Sequence, residues 1–240
     1  MLLEAIPGDR QVSETQGRVM SGLGGLFFGV LPAVVVDIQD PDGQGRVKIS
    51  LPSIPDTGSS AYEVWARVAT LFAGNEKGSW FIPDKDDEVL VAFEQGDARR
   101  PYVLGGLWNG SDGPPQSMDS QNNIKLFCSR NKVKITFDDQ SGQEKLILET
   151  PAGQTVTLKD GPGSIEAKDS NGNSIKMEAS GITVEAAAKV TVNAAQVAIS
   201  AAMVTVDAGM SRFSGVVQAD TVIANSVVSA SYTPGAGNIW

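Results

Sequence analysis

Three consecutive carboxylates, Asp86, Asp87 and Glu88, form the densest group of acid–base side chains in the sequence. Paired carboxylates are what acid–base hydrolysis uses. Their setting argues against that use, because they lead straight into the apolar run Val89–Phe93 and read as a solvated acidic turn before a strand. The 240 residues contain no histidine, which removes the usual general base near neutral pH and the commonest metal ligand. The single cysteine, Cys128, excludes an intrachain disulfide and any multi-cysteine metal site, and reads as a small buried thiol in a strand. No G-x-S-x-G, H-E-x-x-H or P-loop pattern occurs. Arg99 and Arg100 are adjacent but flanked by acids, and the net charge of −9 has the wrong sign for a phosphate backbone. The expectation is therefore a protein that is not an enzyme, with no cofactor, metal or nucleic-acid partner.

The elements that carry these residues are strands. Ala33–Ile38 and Arg46–Leu51 flank the turn Pro41–Gly45 and predict a hairpin. Trp65–Phe72, Gly78–Pro83, Asp87–Phe93 and Pro101–Trp108 supply the remaining short apolar runs. Turns every 8–12 residues predict an all-β fold that begins with a small Greek-key barrel of the oligonucleotide/oligosaccharide-binding (OB) type over residues 31–109. Trp65, Trp80 and Trp108 are expected in its core. A glycine-rich leader, 1–30, precedes it, and its apolar residues must lie against the next domain or a partner. A polar linker, 110–123, follows. The N-terminus lacks the layout of a signal peptide, so assembly in the cytoplasm is expected.

Residues 124–230 repeat a short unit, most clearly from Ile182 to Met210: apolar, any, apolar, polar, small, small. The first apolar residues of successive units are Leu146, Val156, Ile165, Ile175, Ile182, Val190, Val197 and Val204, each with a partner two residues on. Their spacing falls from ten residues to seven. A coiled coil needs apolar spacings of 3 and 4, whereas these are 2 apart in Val-, Ile- and Thr-rich segments that favour strands. Two inward residues per strand cannot enclose a core within one chain. Three chains winding together can, which predicts an intertwined trimeric β-prism (β-helix) as the C-terminal shaft. That reading makes Ile182, Val184, Val190, Val192, Val197, Ile199, Val204 and Val206 the trimer core of the shaft.

Several stretches resemble a known family. Val35–Pro52, Trp65–Val68 and Gly78–Gly110, with D-E-V-L-V-A-F-E-Q-G-D and R-P-Y-V-L-G-G-L-W-N-G followed by a strand repeat, are similar to the OB domain and shaft of contractile-tail spikes. These are the phage baseplate assembly protein V class, the VgrG spikes of type VI secretion, and relatives in extracellular contractile injection systems. The likeness runs over roughly residues 30–230. One departure is Asp86, where the family usually has glycine, and this puts the local turn in doubt.

The resemblance implies a homotrimeric, membrane-puncturing spike at the centre of a baseplate, in contact with the target membrane only transiently. It implies a phage-tail-like particle assembled in the cytoplasm, and a hub or tube-initiator protein at the N-terminal end. Neither a lysozyme domain nor a His-x-His iron apex fits this sequence, and 30 leading residues are too few for a hub, so the hub is expected to be a separate protein. The segment 231–240 breaks the repeat and ends in Asn238, Ile239 and Trp240. These form a candidate interface for a PAAR-like tip protein, with or without an effector; the other reading folds them against the shaft. The rival function with the same shaft is a trimeric β-helical adhesin or receptor-binding tail fibre.

Overall fold

The computed structural model describes residues 26–55 and 61–231. Asn238, Ile239 and Trp240 lie outside the described residues, as does the leader up to residue 25. Among the described residues, every regular element except a 3-10 turn at Glu94–Gly96 is a strand. The contacts separate the chain after Ala187 into two units.

The first unit begins with a closed five-stranded barrel. β1 (Val30–Asp37), β2 (Val47–Pro55), β3 (Ala61–Val68), β6 (Glu88–Phe93) and β7 (Pro101–Gly106) close in the order β1-β2-β3-β7-β6. All contacts are antiparallel except β3 against β7, which is the pairing that closes the barrel. Alternation selects the core. Val35, Val47, Ile49, Leu51, Val89, Val91 and Val103 are fully buried, with Ala33, Ala66 and Phe93 completing the cluster. Burying a side chain of this class contributes about 1.5–3 kcal/mol, so the barrel carries a core of its own.

The β1–β2 turn is built around one carboxylate. Asp40 accepts the backbone N–H groups of Asp42, Gln44 and Arg46 at 3.1, 2.8 and 3.1 Å. The guanidinium of Arg46 adds bonds at 3.1 and 2.6 Å to the same carboxylate, holding it well below the usual carboxylate range. Arg46 also lies over the Trp65 ring, 5.7 Å from its centroid.

Asp86 takes the left-handed conformation, with φ 75°, where the resemblance leads one to expect glycine. Its N–H donates to Val35 O at 2.8 Å, and Val35 N–H returns a bond to Asp87 O at 3.0 Å. The turn is thus kept with an aspartate in it. The acidic triplet serves local structure: Asp87 accepts the N–H of Asp84 at 2.8 Å, and Glu88 accepts the side-chain amide of Asn109 at 2.8 Å.

Three expectations are corrected, two of them for the barrel. The tryptophans are not its core: Trp65 is only half-buried, and Trp80 and Trp108 are 76% and 71% exposed. The fully buried positions are instead taken by Val, Ile and Leu, with Phe93 at the margin of the cluster. Trp65–Phe72 is not one strand, since β3 starts at Ala61 and ends at Val68. Beyond it the chain leaves the barrel in a small arm, β4 (Ala73–Gly74) paired with β5 (Lys77–Gly78), and Ser79–Pro83 returns without strand pairing. Cys128, expected buried, is half-buried at the end of a strand.

At the other end of the barrel Phe27 packs on Phe93, ring centroids 5.6 Å apart, and its N–H donates to Gly96 O at 2.9 Å. Gly96 has φ +83°, and a side chain there would meet Leu26 at 3.0 Å. The last residues of the leader therefore lie against the barrel.

A seven-stranded antiparallel meander follows: β8 (Ile124–Cys128), β9 (Lys134–Asp138), β10 (Lys145–Glu149), β11 (Thr155–Lys159), β12 (Ser164–Lys168), β13 (Ser174–Glu178) and β14 (Gly181–Glu185). Each strand is five residues long, and the turns between them supply the reversal. Gly142, Gly153 and Gly172 adopt φ between +71° and +87° in three of these turns. In the turn before β13, Asp169 accepts the side-chain amide of Asn173 at 2.7 Å and the N–H groups of Asn173 and Asn171 at 2.9 and 2.8 Å. These bonds lower its pKa to about 2.

The second unit is described from Ala188 to Ser231. It forms no strand pairing among its described residues, and all of them are exposed. Its backbone bends at Ala188, Ala195, Ala202 and Gly209, every seventh residue. Further on it bends at Gly215, Asp220, Asn225 and Ala230, a spacing of about five. The bends at linkers such as Ala194–Ala195 are not followed by pairing with the preceding strand, so the late units do not continue the meander within the described residues.

Candidate interchain interface of the shaft

Period-two alternation across β8–β14 sorts the side chains of the meander onto two faces. On one face the registers place Phe137, Leu146, Leu158, Ile165, Met177 and Ile182 side by side, one per strand. A second column runs Phe127, Ile135, Leu148, Val156, Ala167, Ile175 and Val184. Directly opposed residues of this kind are the unit of sheet stabilisation. The result is a continuous apolar strip two residues wide over the six strands β9–β14, extended onto β8 by Phe127 alone, since Lys125 stands opposite Phe137 there.

Beyond β8 the opposite face is mostly polar. Its middle column reads Leu126, Thr136, Ile147, Thr157, Glu166, Lys176 and Thr183. Ion pairs such as Lys145 with Asp138 at 3.2 Å and Lys176 with Glu178 at 2.6 Å flank it. Lys176 lowers the pKa of Glu178 from its ordinary value, with Ser180 adding to the effect. This face is made for water.

The apolar strip is uncovered. Ile135, Phe137, Leu148, Leu158, Ile165, Ile175 and Met177 are all exposed, and Ile182 and Val184 more so. Monomeric proteins seldom leave contiguous apolar patches beyond a few hundred Å² open to water. Val190, Val192, Val197, Ile199, Val204 and Val206 lie in the second unit, and each is exposed in the single chain. They fall in pairs between the seven-residue bends, the placement that strands of a multichain core require. Val217, Val222 and Val227 repeat the arrangement at a five-residue period. Sequence reasoning missed these three; their signal was present in the turns Q-A-D, I-A-N and V-S-A.

Comparison with known proteins decides what this combination is. Residues 31–108 match the type VI secretion system/phage-baseplate injector OB domain, and residues 145–210 match the phage baseplate V C-terminal trimerisation domain. The chain belongs with the VgrG-like baseplate spike proteins. Among its relatives, type VI secretion system spike protein VgrG3 of Vibrio cholerae is 30% identical over 115 residues, covering 45% of this chain and 11% of that protein. Type VI secretion system spike protein VgrG1a of Pseudomonas aeruginosa is 30% identical over 122 residues, covering 47% of this chain and 19% of that protein. Actin cross-linking toxin VgrG1 of Vibrio cholerae is 28% identical over 113 residues, covering 45% and 10%. The chain thus spans less than a fifth of the length of these VgrG relatives. In this VgrG-like chain the barrel coincides with the matched injector domain. The matched trimerisation domain begins at β10 and runs on through the seven-residue bends.

Proposed function

We infer that this chain is the central spike of a contractile injection machine, working as a homotrimer and without catalysis. The observation that carries the reading is the uncovered apolar strip of the meander, in a chain whose barrel needs nothing from outside. Three copies of such a sheet, each with its apolar face inward and its charged face outward, close a three-sided prism. Each fully buried Leu, Ile, Val, Phe or Met then contributes on the order of 1.5–3 kcal/mol, and the strip holds more than ten of them per chain. The second unit gains its missing strand partners in the same way. In this reading Ile182, Val184, Val190, Val192, Val197, Ile199, Val204 and Val206 line the trimer axis. An object held by so much interchain burial unfolds slowly, which suits a part that carries load during contraction.

The family also guides the partners. A hub or tube-initiator protein would meet the N-terminal end. A PAAR-like tip protein, with or without an effector, would dock at Asn238, Ile239 and Trp240. The spike would be assembled with a phage-tail-like or type VI particle in the cytoplasm and delivered through the target envelope, touching the membrane only in passing. A pull-down of the PAAR-like protein from the same particle by full-length and Asn238–Trp240-deleted chain tests the tip. Loss of capture is expected on deletion, and equal capture by both would overturn the docking. Electron microscopy of particles carrying a tagged chain tests the location: label on the baseplate axis is expected, and label on peripheral fibres would favour the adhesin reading.

A further inference from the structure

The arm between β3 and β6 presents a cluster of exposed aromatic side chains outside the meander. Leu71 is 89% exposed, and Phe72, Trp80 and Phe81 are exposed with it. This is a built element. Ala73 and Gly78 pair across β4 and β5, Ser79 N–H donates to Phe72 O at 3.1 Å, and Leu71 N–H donates to the Ser79 hydroxyl at 3.2 Å. Thr70 closes the base by donating its hydroxyl to Ser79 O at 2.6 Å. Trp80 lies over Gly45 so closely that a side chain there would come within 3.2 Å of the indole, and Gly45 has φ +72°. Trp80 thus touches its own barrel through the Cζ3 and Cη2 atoms of the indole while most of the side chain stays open.

The position of the arm says what covers it. Phe81 stacks on Phe127, ring centroids 5.9 Å apart and planes 20° apart. Asp84 pairs with Arg130 at 2.8 Å. Phe127 opens the second apolar column of the meander, where it stands opposite Ile135. The arm is therefore fastened to the sheet end of the barrel, and its aromatic surface is continuous with the strip that the neighbouring copies are inferred to cover. A surface for a partner at the other end of the barrel would have no reason to join this strip.

We propose that the arm is an intersubunit clasp: Leu71, Phe72, Trp80 and Phe81 pack on a second copy of this chain and extend the trimer interface from the shaft onto the barrels. This rests on the three-chain reading of the shaft. The test places a benzophenone amino acid at position 71, whose exposure makes the replacement tolerable, and irradiates the purified full-length protein. Its mass in solution is measured first, so that the two readings fail separately. A trimer whose irradiation gives covalent dimers and trimers supports the clasp. A trimer with only intrachain product, or with product only in whole particles and to a different protein, overturns the clasp and leaves the shaft reading standing. A monomer overturns the shaft reading and the clasp with it. As a second readout, the double variant Leu71→Ser, Trp80→Ser is expected to remain trimeric but to dissociate at a lower temperature than wild type. An unchanged dissociation temperature would also count against the clasp.

Discussion

The barrel and the meander are both made of short alternating strands, yet only one of them finishes its own core. In the barrel the sheet curls until β3 meets β7, so one apolar residue from each pleat faces another across the interior, and Ile49 and Val91 reach zero exposure. In the meander the sheet stays open, with β8 and β14 as its edges, and the same alternation leaves Leu158 and Ile175 in water. Closure within a chain makes a domain, and openness with a continuous apolar face makes a subunit. The second unit goes further, since not even its strand pairing is completed within the chain.

The sharpest way to break this contrast is a charge in the strip. Leu158→Asp places an unpaired carboxylate opposite Leu146 and Ile165 in every copy, a cost of several kcal/mol per chain once buried. Loss of the trimer is expected by mass measurement, with the barrel still folded by its tryptophan fluorescence. The neighbouring Thr157→Lys lies on the hydrated face opposite Glu166 and is expected to change stability by about 0.5 kcal/mol or less. Equal effects from the two substitutions would mean that the faces have been assigned wrongly.

Within the barrel, Ile49→Ala should cost about 2–5 kcal/mol, because it empties a fully buried site. Calorimetry should show the barrel transition moving down while the shaft transition stays in place. A shift of both together would join the two regions into one cooperative body and blur the comparison.

A smaller effect separates the regions by pH. Arg46 depresses the carboxyl of Asp40 in the barrel, Arg99 brings Asp97 to about 2, and Asn173 brings Asp169 in the meander to about 2. Folded values below the unfolded value of about 3.9 mean that the stabilisation is complete above that pH and is lost as pH falls through the folded values. With no histidine in the chain, the barrel transition should be level between about pH 6 and 8 and should fall only below about pH 4. Asp40→Asn should lower the barrel transition at neutral pH and make its acid limb shallower. A further small change is a gain: Asp86→Gly relieves a left-handed aspartate and should raise barrel stability by about 0.5–1 kcal/mol, as read by the denaturant midpoint.

Much of this contrast was legible in the sequence, and unevenly so. Period-two alternation placed Val35, Ile49, Val89 and Val91 on strands, and turn chemistry placed the hairpin around Asp40. The apolar pairs Leu146/Leu148 through Val204/Val206 were equally plain. The tryptophans misled because hydrophobicity alone cannot tell a core from a contact surface; Trp80 and Trp108 are apolar but lie outside the interior they flank. The arm was hidden because Leu71, Phe72, Trp80 and Phe81 read as strand ends until the barrel closes without them. The point where meander gives way to unpaired chain was not legible, because the last reversal, through Ala179–Ser180 into β14, is as short as the linkers that follow it.

The central claim is that the meander and the second unit are completed only by other copies. Native mass spectrometry of the full-length chain, from high to low concentration, tests this most directly. The account predicts a species of three times 25.2 kDa that persists on dilution. A folded 25.2 kDa monomer that keeps its strand content would contradict it.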